Sequence, residues 1–292
     1  VDGEPTYFDG YPFSGLNRAI VQHGLQKAGL GGHSVHAVSG LPVSSFYLKD
    51  GSLREETLAK KRDNLKRAVQ PIDGRLSAAI AFHDVIPEAL AAWYDHVITE
   101  SDDGVQLESE RLQAPVAVVD IGGRTTDYVV VADQAVLHGS SGSLRCGLLD
   151  VKRALTEGIR GRFDMEVVSE RSVEEAVQRG TVRLFGKDHD VSGLVKTAQR
   201  QIVECLHAET QRQLGCGAEL DRILFVGGGT VALAAYIQDW VPNQAVADHP
   251  TFANARGMLK YLHDHRADIE TTDEQAGGSG TTHDHQLEFD WE

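Results

Sequence analysis

The sequence predicts an α/β protein organised in two lobes, on three observations. An apolar strand, a polar turn with two adjacent glycines and a second strand follow one another over residues 116–131. A second glycine-rich turn, Gly227–Gly229, lies between an apolar strand and a helical pattern. The length of 292 residues suggests about two domains or two lobes.

Composition narrows the class of protein. Hydrophobic residues make up 41% and charged residues 24% of the chain, as in ordinary globular proteins. The formal net charge of −15 repels phosphate backbones, which argues against broad direct contact with nucleic acid. A bound nucleotide would therefore need local help, in the first place from a cation.

The cysteines and the hydropathy pattern indicate a compartment. Cys146, Cys205 and Cys216 are too few and too unevenly placed for a disulfide framework, which favours a reducing environment. The chain shows neither a run of about 18 apolar residues nor a secretion segment. We therefore expect a cytoplasmic protein without a membrane partner.

The first part of the chain alternates helical and extended patterns. Apolar residues from Leu16 to His23 recur at helical spacing, and Gly29 can end that helix. Residues 35–43 read as a strand. The mixed charges of residues 53–67, LREETLAKKRDNLKR, predict a helix with a solvated surface rather than a nucleic-acid patch.

The middle of the chain leads into the first glycine turn. Residues 76–85 read as a strand, and Pro87 suits the first turn of a following helix with an apolar stripe to Ile98. Residues 100–110 lack periodicity and predict a surface connection. Residues 116–119 and 128–131 are strands on either side of the turn.

The last part predicts four further helices and a tail. Helical patterns cover 148–159, 191–214, 230–240 and 253–263, and residues 222–226 form a buried strand. Residues 266–292 are acidic and poor in apolar residues, which predicts a disordered tail. The triplets His263-Asp264-His265 and His283-Asp284-His285 lack further ligands and are weak metal candidates.

The turn from Asp120 to Asp127 has the chemistry of a phosphate site. Gly122 and Gly123 let backbone amides approach an anion, Thr125 and Thr126 add hydroxyl groups, and the Asp120 carboxylate can hold a hydrated Mg²⁺ against phosphate oxygens. The alternative is a tight hairpin whose aspartate merely caps the turn.

The second turn offers a flat surface. Gly227, Gly228 and Gly229 carry no side chains that would obstruct an adenosine moiety, although such strand-to-helix turns are common in α/β folds. The two turns together are more specific than either one.

In these motifs the chain resembles the actin-like ATPase superfamily of actin, the Hsp70 ATPase domain and sugar kinases, and within it the ParM/StbA plasmid-segregation family. VAVVDIGGRTTDYVVV resembles the second phosphate motif of that family, RILFVGGGTVALAAYI its adenosine motif and HDVIPEALAAWY its first connecting helix. The segments AVSGLPVSSFY, LAKKRDNLKR and NARGMLKYL continue the agreement in the same order. The resemblance implies the ribonuclease H-like, two-lobed actin fold.

The resemblance also implies roles for individual residues. It places Asp120 on the Mg²⁺ and phosphate side, with the metal held through water, and Gly227–Gly229 against adenosine. The phosphate contacts fall to Gly122, Gly123, Thr125 and Thr126. Glu88 is similar to the carboxylate that positions the attacking water; without the family it would read as a first-turn acid that complements the helix dipole. Asp127 is expected to orient the turn, and Arg124 to face solvent rather than nucleotide.

The resemblance implies boundaries as well. Residues 1–115, completed by 253–265, form the first lobe, and residues 116–252 form the second. The first phosphate motif of the superfamily, a D-x-G-[ST] hairpin, is not found, because residues 1–7 resemble the stretch after it. Either the sequence is shortened at its N-terminus, or the protein has lost one half of its phosphate-binding site.

The expected function follows from that family. It is an ATPase that uses ATP, ADP and Mg²⁺, polymerises with copies of itself into filaments, and segregates plasmid DNA through a DNA-binding adaptor protein. Three alternatives stay open: a non-polymerising actin-like ATPase or kinase, a nucleotide-binding scaffold without catalysis, and an unrelated α/β enzyme. No Ser-His-Asp, Cys-His or zinc spacing supports the last of these.

Overall fold

The computed structural model describes residues 6–101 and 104–265. Helices and strands alternate along it, as predicted for an α/β protein. The α-helices are α1 (Gly15–Lys27), α2 (Val43–Phe46), α3 (Glu55–Lys66), α4 (Leu90–Val97), α5 (Ser109–Gln113), α6 (Leu148–Phe163), α7 (Glu170–Arg179), α8 (Ser192–Leu214), α9 (Gly227–Ala232) and α10 (Ala253–Asp264).

Within the described residues, the strands form one central sheet and three two-stranded sheets. They are β1 (Ser34–Leu41), β2 (Ala79–Pro87), β3 (Ile98–Ser101), β4 (Gly104–Leu107), β5 (Val116–Ile121), β6 (Thr126–Ala132), β7 (Ala135–Val136), β8 (Gly142–Leu144), β9 (Thr181–Leu184), β10 (Lys187–Asp190), β11 (Arg222–Val226) and β12 (Gln244–Val246).

The central sheet places the two glycine turns side by side. Its strand order is β12-β11-β5-β6-β7, with β8 paired to β6. Strand β11 runs parallel to β5, and Val226 lies opposite Asp120. Strand β6 returns antiparallel to β5 after the polar turn. The residues that follow β5 and β11 therefore emerge at the same edge of the sheet.

Strand β5 is buried along its whole length because both faces of the sheet are covered. Val116 and Val118 pack in one hydrophobic core with α4 and the ends of β1 and β2. Ala117 and Val119 face the other core, which α6 and α8 complete. The sheet thus separates two hydrophobic cores.

Strands β1 and β2 form a parallel pair whose carboxyl ends also meet. Leu41 lies opposite Pro87, and the Glu88 amide donates to the Leu41 carbonyl at 2.8 Å. The prediction that Pro87 opens a helix is wrong, because this proline ends β2. Ala89 then adopts a positive φ of 65°, and α4 begins at Leu90. Glu88 therefore lies at a strand-to-helix corner instead of in a first helical turn.

The prediction of a helix over 230–240 is also wrong. Helix α9 begins at Gly227, ends at Ala232, and is followed by turns. Leu233 and Ile237 are buried as the pattern required. The spacing of apolar residues is typical of a helix, but here a series of turns buries Leu233 and Ile237.

Residues 100–110 are not the irregular surface connection that the sequence predicts. Strands β3 and β4 pair as a hairpin, and α5 follows. Val105 and Leu107 pack against the core that contains Ile98, so the short alternation of apolar and polar residues did indicate a strand. The predicted tail over 266–292 lies outside the described residues.

The predicted helices over 148–159, 191–214 and 253–263 are confirmed as α6, α8 and α10. Helix α1 is confirmed too, but its buried side chains are polar. Gln22 exchanges hydrogen bonds with the backbone of Ala78, at 2.9 Å to the carbonyl and 3.1 Å from the amide, whereas Ile20 is 44% exposed. The apolar stripe therefore predicted the helix correctly but not its buried face.

Helix α10 crosses α4 at backbone contact, which requires glycine at one position. A Cβ atom on Gly257 would lie 1.6 Å from the Ala91 carbonyl oxygen. We expect Gly257→Ala to lower the free energy of unfolding by about 3 kcal/mol, because neither backbone can move away without disturbing the core. Urea denaturation followed by circular dichroism measures this loss.

Gly24→Ala is the matched control. Gly24 is in the interior of α1 with no atom within 4 Å of a new Cβ, so alanine there is expected to raise stability by about 0.5–1 kcal/mol. Equal stability of Gly257→Ala and the wild type would contradict the backbone contact.

Candidate functional site

The glycine turn after β11 packs directly on the end of β5. A Cβ atom on Gly227 would lie 2.3 Å from Asp120 Oδ1, and one on Gly229 would lie 2.2 Å from Ile121 Cγ2. Gly227 also has a positive φ of 86°. Gly228 differs, because a Cβ there would meet nothing within 4 Å. Of the three predicted adenosine glycines, two face β5 and Gly228 borders open space.

The turn after β5 is held by its carbonyl groups. The Gly122 amide donates to the Thr125 carbonyl at 2.9 Å. The first amides of α6, those of Leu148 and Leu149, donate to the carbonyls of Gly122 and Gly123 at 3.1 and 2.8 Å. In the described part of the chain the amides of Gly123 and Arg124 find no acceptor. Adjacent free amides of this kind form a nest for an anion.

Asp120 is buried at the carboxyl end of β5. Its Oδ2 accepts a hydrogen bond from Asn254 Nδ2 at 2.7 Å, and Asn254 Oδ1 accepts from the Ala89 amide at 3.1 Å. Asn254, at the start of α10, thereby connects Asp120 to the corner that carries Glu88. Burial, helped by the nearby Asp127, raises the pKa of Asp120 to about 7.

Asp127 ties elements of the two predicted lobes together. It is buried, and its Oδ1 accepts from the Val43 amide at 2.7 Å and from the Ser143 hydroxyl. Its Oδ2 accepts from the Thr125 hydroxyl at 2.9 Å. Burial raises the pKa of Asp127 despite these donors. With its oxygens engaged in this way, Asp127 orients the turn and the start of α2.

Glu88 lies beside the two aspartates. A Cβ on Gly40 would lie 2.8 Å from Glu88 Cγ, so glycine at 40 leaves room for this side chain. Burial, and then the charges of Asp127 and Asp120, raise the pKa of Glu88 well above its usual range. Three carboxyl groups, one from the corner after β2 and two from strands β5 and β6, therefore lie close together.

Lys61 is a residue that the sequence analysis missed. It is 4% exposed and belongs to the charge run that was predicted to be a solvated surface, so that prediction is wrong for this residue. Its Nζ donates to the Pro12 carbonyl and to Asn17 Oδ1 at 3.2 and 3.1 Å, and burial lowers its pKa to about 8. Leu58 and Leu65 occupy the same helical stripe, which was the available signal.

The two threonines of the turn differ. The Thr125 hydroxyl donates to Asp127, next to the open amides. The Thr126 hydroxyl is buried and donates to the Cys146 carbonyl at 2.9 Å, so this side chain supports the sheet instead of facing the cleft. Thr126 is therefore removed from the predicted phosphate contacts.

The carboxyl groups suit a divalent cation that keeps its water shell. Across residues 6–101 and 104–265, no three His, Cys, Asp or Glu side chains converge closely enough to hold a metal ion by themselves. Mg²⁺ is usually bound by one or two carboxylates, water and substrate phosphates, and oxygen is its preferred ligand. Asp120, buried beside open amides and two further carboxyl groups, fits this manner of binding. His263-Asp264-His265 does not form a metal site, and the second triplet lies outside the described residues.

Among the helices of residues 6–101 and 104–265, none is both long and apolar enough to cross a membrane.

Two protein families match the sequence, one in each half. Residues 6–98 match the family "Plasmid segregation protein ParM, N-terminal", and residues 118–239 match "Archaeal actin homologue MreB-like, C-terminal". A comparison with curated proteins finds no match.

Solved structures of actin homologues share the fold. A non-polymerisable quadruple mutant of pCBH ParM is 18% identical, with a TM-score of 0.70 over 87% of this chain and 77% of that chain. An archaeal actin homologue in complex with ADP is 18% identical, with a TM-score of 0.69 over 90% and 84%. A 15-stranded ParM filament from Clostridium botulinum is 17% identical, with a TM-score of 0.61 over 77% and 65%.

These likenesses confirm the predicted actin-like fold. The two family models cover residues 6–98 and 118–239, each less than half of the chain, and describe a ParM N-terminal region and an archaeal MreB-like C-terminal region.

Proposed function

We propose that this protein is an actin homologue that binds ATP with Mg²⁺ where β2, β5 and β11 end, and hydrolyses it to ADP. One observation carries the proposal: three clustered carboxyl groups with raised pKa values lie beside free backbone amides. The three carboxyl groups favour a cation and the free amides favour an anion, so a metal–polyphosphate complex matches both needs. The carboxyl ends of parallel strands are also where α/β sheets bind their ligands.

Individual residues take distinct roles in this proposal. The amides of Gly123 and Arg124 donate to phosphate oxygens, while Gly122 and Thr125 hold the turn in shape. Asp120 holds the hydrated metal through water, and Asn254 fixes its carboxylate. Gly228 provides the flat surface for adenosine, and Gly227 and Gly229 allow its turn to approach β5.

Glu88 is proposed to position the attacking water. Hydrolysis of a terminal phosphate depends on alignment of water and stabilisation of charge, and a carboxylate can accept a proton from that water. Bound Mg²⁺ would supply positive charge against the phosphate oxygens. The same charge would lower the pKa of Glu88 toward its usual range and favour the ionised form that accepts a proton.

The wider proposal concerns filaments and plasmid segregation. A ParM filament is among the solved structures with this fold, which supports self-association. ATP that contacts elements of both lobes would favour a polymerising conformation, and hydrolysis would loosen it. The net charge of −15 favours attachment of DNA through a basic adaptor protein over direct contact.

Glu88→Gln tests the catalytic role. We expect the rate of phosphate release to fall at least about 100-fold, because the amide cannot accept a proton, while the dissociation constant for Mg·ATP changes little. Single-turnover hydrolysis and calorimetry measure the two quantities.

Glu56→Gln is the control for charge removal, since Glu56 has a side chain that is 84% exposed on the surface of α3. This variant is expected to hydrolyse ATP like the wild type. A Glu88→Gln protein with unaltered turnover would remove Glu88 from catalysis, and a wild type with no turnover would favour the scaffold alternative.

The raised pKa of Asp120 predicts that the stability of the folded protein depends on pH. The folded Asp120 binds a proton more tightly than the unfolded residue, so its contribution to stability falls as pH rises from about 4 to about 7 and is constant above that range. The loss amounts to roughly 1.4 kcal/mol per unit of pKa shift. Urea midpoints measured from pH 5 to 8 without nucleotide are expected to decline less in Asp120→Asn than in the wild type.

The comparison of the two curves cancels titrating groups that do not interact with Asp120. Glu88 does interact with it, and loss of the Asp120 charge would reduce the raised pKa of Glu88 and flatten the curve in the same direction. His83 and His96 have pKa values that burial lowers to about 4, so they act in the opposite direction in both proteins. Parallel curves for the wild type and Asp120→Asn would contradict the raised pKa of Asp120.

Filament formation predicts nucleotide-dependent sedimentation. With Mg·ATP we expect the protein to pellet at high speed above a critical concentration, and with Mg·ADP we expect most of it to stay in the supernatant. Soluble protein in both nucleotide states, combined with measured ATP hydrolysis, would instead support a non-polymerising actin-like ATPase.

A further inference from the structure

Two arginines flank the phosphate turn and converge on one aspartate. Arg124 follows Gly123 in the turn, and its guanidinium donates to Asp9 Oδ1. Arg145 Nη2 lies 3.7 Å from Asp9 Oδ2. Asp9 precedes α1, more than a hundred residues from either arginine along the sequence. The carboxylate therefore links the N-terminal segment to the rim of the proposed phosphate site.

The position of Arg145 is fixed by the turn itself. Gly147, two residues later, packs so closely that a Cβ would lie 2.7 Å from the carbonyl oxygens of both Gly122 and Gly123. The amides that follow Gly147 hold those same carbonyls. Both guanidinium groups thus arise from the two segments that build the phosphate turn.

We infer that Arg124 and Arg145 bind the terminal phosphate of the nucleoside triphosphate, and that Asp9 occupies this arginine pair until the phosphate displaces it. The inference rests on the proposed function and names how the same site distinguishes a triphosphate from a diphosphate. A guanidinium binds carboxylate and phosphate through the same forked geometry, so one anion can replace the other.

The charges favour this exchange. Two guanidinium groups face one carboxylate, so the cluster has an excess of positive charge. Asp9 is 68% and Arg145 83% exposed in the side chain, and exposed ion pairs of this kind contribute little to stability. A terminal phosphate, with more than one negative charge and three oxygens, is the stronger acceptor for the pair.

Lys61 does not serve this purpose, because it is already bonded inside the protein. Its Nζ donates to the Pro12 carbonyl and to Asn17, and its charge acts on Glu88. The acidic cluster of Glu88, Asp120 and Asp127 would repel the added charge of a triphosphate. The arginine pair provides positive charge at the turn that offsets this repulsion.

Displacement of Asp9 would transmit the nucleotide state to a separate element. The same N-terminal segment is attached to α7 through Tyr7, whose hydroxyl donates to Glu170 Oε1 at 2.5 Å. Entry of a triphosphate releases Asp9, and departure of the cleaved phosphate lets it return. The segment around Asp9 therefore reports whether a terminal phosphate is present.

Calorimetry with Mg²⁺ and either ADP or a non-hydrolysable ATP analogue tests the inference. For Arg124→Ala and Arg145→Ala we expect the affinity for the analogue to fall about tenfold, while ADP affinity changes less than about twofold. For Asp9→Asn we expect the affinity for the analogue to rise, because the competing carboxylate is gone. Arg153→Ala is the control: this exposed arginine of α6 pairs with Asp150 and is expected to change neither affinity.

The outcomes separate this inference from the proposed function. If the wild type binds both nucleotides and their affinity ratio is the same in Arg124→Ala, Arg145→Ala and Asp9→Asn, the arginine assignment is wrong and the proposed function stands. A wild type that binds neither nucleotide would overturn the proposed function itself. Asp9→Asn keeps the test decisive if an alanine variant fails to fold, since its expected effect has the opposite sign.

Discussion

Burial of three neighbouring carboxyl groups is the constraint on which the site depends. Glu88 comes from the corner after β2, and Asp120 and Asp127 come from β5 and β6; each has a raised pKa because water is largely excluded. Like charges in such surroundings destabilise the folded protein unless they are protonated or a cation joins them. The fold accepts this cost at the place where a metal and a polyphosphate would relieve it, which is a common feature of functional sites.

The geometry that creates this cost also joins the parts of the chain. Asp127 accepts hydrogen bonds from the Val43 amide and from its own turn, and Asn254 connects Asp120 to the Ala89 amide. The carboxyl groups proposed to bind the ligand thus also link the ends of β1, β2 and β5. A change in their charge therefore bears on how these elements sit together, as expected of a cleft that closes around its ligand.

The sequence predicted the central strands and the glycine turn between β5 and β6, because glycines and aspartates at strand ends have few structural alternatives. It failed where tertiary contacts override local pattern. Pro87 continues a strand because β1 supplies its pairing, which moves Glu88 to a corner. Gly227 and Gly229 are needed for contact with β5, and no local pattern distinguishes that need from adenosine binding. The charge of Lys61 predicted an exposed side chain, but its place on the apolar stripe of α3 determines its burial.

The positions of the two arginines would explain how the proposed site distinguishes a nucleoside triphosphate from a diphosphate. The buried carboxyl groups favour any bound cation equally with a diphosphate or a triphosphate, so they cannot discriminate between the two by themselves. Discrimination requires a group that meets the terminal phosphate alone, and a ligand shifts a conformational equilibrium only by its difference in affinity for the two states. Arg124 lies in the turn, Arg145 precedes the glycine that packs on it, and both already pair with a carboxylate from the N-terminal segment. In the proposal, an exchange of anions there would couple the chemistry of the nucleotide to a movement of the chain, which the buried cluster could not do.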